Sequence, residues 1–212
     1  MNRVARLSIV IGIVCLFLGQ GLQAQKVTLK INPLSLFAVT ANVQGEYAFN
    51  ERMSLQVGVF IGKVTSRVGN TGLAQEIGYN WFGITPEFRY YAQSTKKEAP
   101  RGLYLGPFFR YRHDVRRFTT SVYDPDLQLI STGVVTKTSP LVGGGVLLGY
   151  QWLFNDVFAL DVFFGPQYLS GPFTYEFDCD NCDGNESIIE EPLGINFRGA
   201  GIRLGIAIGV AI

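Results

Sequence analysis

The chain has 212 residues, of which 47% are hydrophobic, 13% aromatic and only 17% charged, and 25 are glycine. An ordinary soluble domain has about 25% charged residues and about 7% glycine. The many aromatic residues exclude a disordered chain. The net charge of +1 argues against a nucleic-acid-binding protein, which normally has a strong basic excess. The composition therefore indicates one folded domain, whose apolar side chains either fill a core or face a membrane.

The N-terminus has the pattern of a cleaved secretory signal peptide. Arg3 and Arg6 precede an apolar run over residues 7–18, and a segment of small and polar residues ends at Ala24. The apolar run is shorter than the roughly 20 residues of a transmembrane helix. We therefore predict a signal peptide over residues 1–24 and a mature domain over residues 25–212. Loss of Arg3 and Arg6 changes the net charge from +1 to −1.

After residue 24 the dominant pattern is alternation with a period of two, as in β-strands. At the C-terminus, for example, Ile202, Leu204 and Ile206 alternate with Arg203 and Gly205. The same pattern predicts eight strands, at residues 27–32, 39–47, 54–62, 82–91, 103–112, 142–152, 158–165 and 202–212.

The two faces of these strands differ in composition, and the difference indicates how the strands are arranged. One face has bulky apolar residues, and the other is mostly Gly, Ala, Ser, Thr and Gln with a few charges. A water-exposed face would be richer in Lys, Glu and Asp, and glycine weakens strands. A narrow barrel interior needs small residues, and membrane barrels are apolar outside. We predict an all-β fold, an eight-stranded antiparallel up-and-down transmembrane β-barrel. The alternative is a soluble periplasmic barrel that binds a ligand in its lumen.

The predicted connections alternate in length, which sets the orientation. Short turns at 50–52 and 155–156 and a moderate connector at 93–101 alternate with a short link at 34–38 and longer connections over 65–80, 114–139 and 171–195. Outer-membrane barrels have short periplasmic turns and longer external loops. The even strand number then puts both termini in the periplasm. Six aromatic residues lie near the short turns, where an aromatic girdle at the membrane interface is expected. They are Tyr47, Phe49, Tyr90, Tyr150, Trp152 and Phe154.

Four segments together cover more than half of the mature chain: KINPLSLFAVTANVQGEYAFNERMSLQVGVF, WFGITPEFRYY, GLYLGPFFRYRHD and GYQWLFNDVFALDVFFG. In these segments the chain resembles the small eight-stranded outer-membrane barrels, a superfamily that includes the OmpA-type transmembrane domains. More narrowly, it is similar to an uncharacterised barrel family of Gram-negative bacteria, a domain of unknown function. The resemblance implies a fold and a location in the outer membrane, and it supplies no activity.

The inward face of the predicted barrel has charges of both signs. They are Lys30, Glu46, Glu87, Arg89, Arg110, Arg112, Asp161 and Arg203. Unpaired buried charge is costly, so opposite charges are expected to pair. Such a network fits either the gate of a small pore or a structural plug, and the filled interior of an eight-stranded barrel favours the plug. No motif supports Glu87 or Asp161 as a catalytic acid or base.

His113 is the only histidine and lies just beyond the predicted fifth strand, next to Asp114. Some small outer-membrane barrels are lipid A deacylases that use Ser, His and an acid. A nucleophile needs a base within hydrogen-bond reach and an acid that orients the base. Serine does not follow His113 at short strand spacing, which leaves the distant Ser121, Ser139 and Ser170 as candidates. We expect a solvated histidine at the outer rim, and a lipid-modifying hydrolase is the alternative.

The last predicted loop contains a Cys-x-x-Cys pair, Cys179 and Cys182, in an acidic stretch. Export to an oxidising compartment favours a local disulfide, and the four ligands of a zinc site are not present nearby. Ca²⁺ bound by the acidic oxygens is a less favoured alternative. This acidic loop and a basic neighbouring loop predict an electrostatic clasp between the two. The basic residues of the clasp are Arg116, Arg117 and Lys137.

We expect a non-enzymatic outer-membrane barrel that requires no cofactor and binds no nucleic acid. It is expected to be a monomer in contact with outer-membrane lipid, and to act structurally or to bind an extracellular partner through its external loops. A lipid-modifying hydrolase, a small pore and a soluble ligand-binding barrel are the alternatives.

Overall fold

The computed structural model describes residues 27–68, 75–92, 99–123, 129–179, 187–188 and 197–212. These residues are almost entirely β-structure. The strands are β1 (Val27–Ile31), β2 (Thr40–Ala48), β3 (Met53–Val68), β4 (Gln75–Tyr91), β5 (Gly102–Tyr123), β6 (Leu129–Phe154), β7 (Phe158–Ser170), β8 (Thr174–Cys179), β9 (Ser187–Ile188) and β10 (Gly199–Ala211). A 3-10 turn, Pro33–Ala38, joins β1 to β2. Within the described ranges, no helix is long and apolar enough to cross a membrane.

Eight of these strands form a closed antiparallel barrel. Strands β1 to β6 each pair with the next strand, β7 pairs with β10, and β10 returns to pair with β1, where Thr28 lies opposite Ala211. Closure pairs the strand edges that an open sheet would leave exposed. The prediction of an eight-stranded up-and-down barrel is confirmed.

The barrel wall extends well beyond the predicted strands on one side. Strands β5 and β6 continue as a paired hairpin through most of residues 114–139, and β3 and β4 continue through much of residues 65–80. Strand β8 pairs with the extended part of β6, and β9 pairs with that of β5. The prediction of long loops there was wrong. The extensions mix polar and apolar residues without strict alternation, although Phe118 and Val135 are buried, and their many Thr and Val residues favour extended chain.

At the opposite end the turns at 50–52 and 155–156 are short, as predicted, and residues 93–98 of the moderate connector lie outside the described residues. Asn155 and Asp156 between β6 and β7 have φ values of 49° and 57°, and the Val157 amide donates to the Phe154 carbonyl at 3.1 Å. Two successive residues with positive φ give the right twist for a tight hairpin. This tight turn fixes the register of β6 on β7, in which Phe154 pairs with Phe158.

The two faces of the barrel wall differ sharply in exposure. Bulky apolar residues lie on the outside, for example Val59 at 50%, Ile61 at 64% and Leu204 at 61% exposed. Polar residues such as Gln56 and Asp161 lie inside and are almost completely buried. On each barrel strand, the alternate residues that are apolar therefore face outward, and the polar and small residues between them face the lumen.

The lumen also contains large aromatic rings that the composition of the inner face does not suggest. Phe60 lies opposite Gly83, and Trp81 lies opposite Gly62. A Cβ atom on Gly62 would lie 2.1 Å from the Trp81 ring, and one on Gly83 would lie 2.3 Å from the Phe60 ring. Glycine is therefore needed on the inner face because a ring from the neighbouring strand covers it. Other buried inward-facing rings are Tyr91, Tyr104, Phe108, Phe118 and Phe163.

Candidate functional site

A buried network of charges occupies the lumen on the side of the short turns. Lys30 on β1 donates from Nζ to Glu46 Oε2 at 2.6 Å, to Gln151 Oε1 at 2.7 Å and to Asp161 Oδ2 at 2.9 Å. These partners belong to β2, β6 and β7. One ammonium group therefore joins four of the eight barrel strands through the interior.

Arg89 on β4 occupies the other side of the same carboxylates. Its Nε donates to Glu87 Oε1 at 2.6 Å. Its Nη1 donates to Asp161 Oδ2 at 2.8 Å and lies 3.4 Å from Glu46 Oε2. Arg203 on β10 donates from Nη1 to the second Glu87 oxygen at 2.9 Å. We call these six residues the charge network: Lys30, Glu46, Glu87, Arg89, Asp161 and Arg203.

The charge network is electrically balanced and buried. It holds three cations and three carboxylates, and the side chains of Lys30, Glu46, Glu87, Arg89 and Asp161 are completely buried. Isolated charges in such a place would each cost several kcal/mol. Pairing in good geometry, with additional hydrogen bonds to the carboxylates, offsets that cost.

Neutral side chains complete the hydrogen bonding of the carboxylates. Tyr91 donates its hydroxyl to Glu46 Oε1 at 2.6 Å, and Ser54 donates to the same oxygen at 2.5 Å. Tyr104 donates to Asp161 Oδ1 at 2.8 Å, and its ring lies 4.1 Å from the guanidinium carbon of Arg89. These residues were not singled out in the sequence. Tyr91 and Tyr104 share the inward parity of the charged residues, and that parity is the signal that could have identified them.

The other two charged residues predicted for the lumen lie apart from the charge network. Arg110 donates to Thr85 Oγ1 at 3.1 Å and to Gln167 Oε1 at 3.2 Å, and it lies 5.0 Å from the Phe60 ring. Arg112 donates to Asp114 Oδ1 at 2.8 Å. Arg110 therefore has hydroxyl and amide partners among the described residues, whereas Arg112 has a carboxylate.

The charge network links strands to one another across the interior of the barrel. Each carboxylate accepts from at least one fixed cation, and Lys30, Arg89 and Arg203 are held between strands that are not neighbours. Within the described ranges, no group of three or more His, Cys, Asp or Glu residues is arranged to hold a metal ion. The arrangement can hold the wall of the barrel together and fill its interior.

Comparison with known proteins identifies the family of the chain and a solved structure of similar fold. A family described as a protein of unknown function (DUF3575) matches residues 9–192. The chain belongs to this family. No curated protein matches the chain. Among solved structures, the crystal structure of Acinetobacter baumannii CarO is similar, with a TM-score of 0.48 and 10% identity over 91% of this chain and 100% of CarO.

His113 lies within β5 and not beyond the fifth strand, so the prediction of its position was wrong. It pairs with Phe82 on one side and Pro140 on the other, and its ring lies 5.2 Å from the Phe82 ring. Asp114 is the next residue on the strand, so it points into the lumen, where Arg112 binds it. The histidine and the acid proposed to orient it therefore face opposite sides of the wall.

Two of the three candidate serines, Ser139 and Ser170, belong to the described residues, and neither is a strand neighbour of His113. Ser139 lies opposite Asp114 in the β5–β6 register and so shares its inward face. Ser170 lies opposite Val142, one strand further around the barrel than Pro140, the neighbour of His113. The side chain of Ser121 is outside the described residues.

Of the predicted disulfide pair, only the backbone of Cys179 belongs to the described residues. Cys179 ends β8, and its side chain and the whole of Cys182 lie outside the described residues, as does most of the acidic stretch predicted to form a clasp or to bind Ca²⁺. The basic residues of the predicted clasp are described, and they lie in strands. Arg116 pairs with Lys137 across β5 and β6, and the Arg116 guanidinium lies 4.8 Å from the Tyr79 ring.

Proposed function

We propose that this protein is an outer-membrane β-barrel. The observation that carries the proposal is the continuous apolar outer face of the barrel, where residues such as Val59, Phe164 and Leu204 are half exposed or more. Soluble monomers rarely expose apolar patches larger than a few hundred Å². Lipid is the environment in which such a face is stable.

Turn lengths and aromatic side chains support an orientation with the short turns in the periplasm. The turns at 49–52 and 155–157 lie at the same end as Val27 and Ala211. Tyr47, Phe49 and Trp152 are exposed near this end, where an interfacial girdle is expected. Both ends of the mature chain then lie on the periplasmic side.

The long strands support a role for the opposite end in surface interaction. Strand β6 has 26 residues, whereas a tilted strand crosses a bilayer in about 9–11 residues. More than half of β6 therefore extends beyond the apolar band, together with β5 and the short strands β8 and β9. We propose that this extended hairpin is a docking surface for an extracellular partner.

We propose that the barrel acts as a non-enzymatic monomer with a closed lumen. The charge network and the inward-facing rings of Tyr91 and Tyr104 are buried at the same level of the barrel. Side chains that fill the lumen in this way act as a plug that closes it. In planar bilayers the purified protein is expected to give no reproducible conductance.

A small anion-selective pore is the second candidate. Arg110 is the observation that favours it, because its hydrogen-bond partners among the described residues are a hydroxyl and an amide, and a cation in a lumen attracts anions. Reproducible anion-selective current steps in planar bilayers would support the pore and contradict the plug.

Cell fractionation combined with gel mobility tests the location. A membrane barrel is expected in the outer-membrane fraction, and it should migrate differently on a gel before and after boiling because the barrel stays folded in mild detergent. Recovery in the soluble periplasmic fraction, with one mobility under both conditions, would contradict the proposal and support the soluble ligand-binding barrel.

A further inference from the structure

The outer wall over β2 to β5 contains an apolar groove of about 400 Å³. We call it the lateral groove. It is lined by Val43, Val59, Ile61, Phe82, Ile84 and Tyr111. Phe60 and Gly83, which lie opposite each other on β3 and β4, also line it. The large outward side chains Phe82 and Tyr111 stand beside the smaller Val43, Val59 and Ile84, and the groove lies among them.

The outward face changes from apolar to basic directly above the lateral groove, towards the long hairpins. Lys63 follows Ile61 on the outward parity of β3, and Arg117 occupies the outward parity of β5. Thr65 and Arg117 lie on either side of Gly78 in the strand register. A Cβ on Gly78 would make only ordinary contacts, at 3.9 Å or more. The surface between the two cations is therefore open.

Lys63 and Arg117 are both exposed, and neither forms an ion pair with another described residue. We call them the headgroup pair. Asn80 and Thr65 provide polar side chains beside them. The barrel thus has an apolar groove at membrane depth and, just above it on β3 and β5, two cations without an ion pair among the described residues.

We propose that the lateral groove and the headgroup pair form one binding site for a phosphorylated lipid of the outer leaflet. An acyl chain would lie in the groove, and the phosphate would lie between Lys63 and Arg117 over Gly78. The order of apolar and cationic surfaces matches the order of acyl chain and phosphate in such a lipid. Basic side chains near a membrane surface attract anionic headgroups, and the groove adds apolar burial.

Native mass spectrometry of the detergent-solubilised full protein tests the site, with monophosphoryl lipid A as the probe and diacylglycerol as the lipid that lacks phosphate. The double variant Lys63→Gln/Arg117→Gln is expected to bind the probe about 30-fold more weakly. Ile84→Trp, which fills the groove, should also weaken binding while it leaves both cations in place. The matched control Arg52→Gln/Arg198→Gln removes two other exposed cations and should bind like the unaltered protein.

Three results would overturn the site: undiminished binding by the Lys63→Gln/Arg117→Gln variant, equal affinity for diacylglycerol, or an equal loss in the matched control. The inference rests on the proposed outer-membrane location, but lipid is added to protein in detergent. Failure here would therefore leave the fractionation result standing, and a soluble location would be detected by fractionation alone.

Discussion

The substitution Asp161→Asn tests the charge network most sharply. Asp161 accepts hydrogen bonds from Lys30, Arg89 and Tyr104 at 2.8–2.9 Å, and its side chain is completely buried. The amide keeps the shape of the carboxylate but leaves the network with three cations and two carboxylates. Removal of one partner from a buried ion pair destabilises a protein by about 3–5 kcal/mol, and we expect a loss in that range.

Urea unfolding in lipid vesicles, followed by tryptophan fluorescence, measures this loss. Asp156→Asn is the control, because the side chain of Asp156 is 67% exposed where it pairs with Arg101, and exposed pairs contribute about 1 kcal/mol or less. The double variant Lys30→Met/Asp161→Asn removes one charge of each sign. It should be less destabilised than the sum of its single variants, by about 1–3 kcal/mol. Equal effects of Asp161→Asn and Asp156→Asn, or strict additivity in the cycle, would refute the argument.

Other substitutions test the wall and the outer hairpins. Gly62→Val places atoms where the Trp81 ring lies, and overpacking should lower the free energy of unfolding in urea by about 1–3 kcal/mol. Gly45→Ala makes only an ordinary contact at 3.7 Å and should leave this free energy nearly unchanged. Equal effects of the two variants would contradict the packing argument. Val59→Arg puts a charge in the middle of the apolar row of β3 and should cost about 2–4 kcal/mol in lipid, and an unchanged unfolding midpoint would contradict lipid contact. Reversal of Arg116 and Arg117 to Glu should increase protease cleavage of the outer hairpins if the predicted clasp exists, and unchanged cleavage would argue against the clasp.

The barrel itself could be predicted from the sequence because its physical signal is local. A strand that separates lipid from a narrow lumen must alternate along its length, and the segments around Val59, Ile84 and Ile206 all do so. The parity also assigns Lys30, Glu46 and Arg89 to the inside. The outer extensions of β3 to β6 could not be predicted in this way, because polar and apolar residues do not alternate strictly along them.

The arrangement of the charge network could not be predicted because it depends on the stagger of strands around a closed barrel. Lys30 and Asp161 are 131 residues apart, and the strand register alone brings them together with Gln151. The same is true of Tyr91 and Tyr104, which are inward by parity but whose contacts with carboxylates follow from the closure. The composition alone attributes the high glycine content to a narrow lumen. The structure gives a more specific reason, because inward-facing rings cover several of the glycines on neighbouring strands.

Fluorescence quenching by brominated lipid tests the central claim, that one parity of the barrel wall faces lipid and the other a closed interior. The chain has two tryptophans, and they lie on opposite faces: Trp81 is 6% exposed inside, and Trp152 is 38% exposed outside. In vesicles of lipid brominated near the headgroup, the Trp81→Phe variant, which keeps Trp152, should be strongly quenched. The Trp152→Phe variant, which keeps Trp81, should be almost unaffected. Equal quenching of the two variants, or quenching of Trp81 alone, would contradict the account.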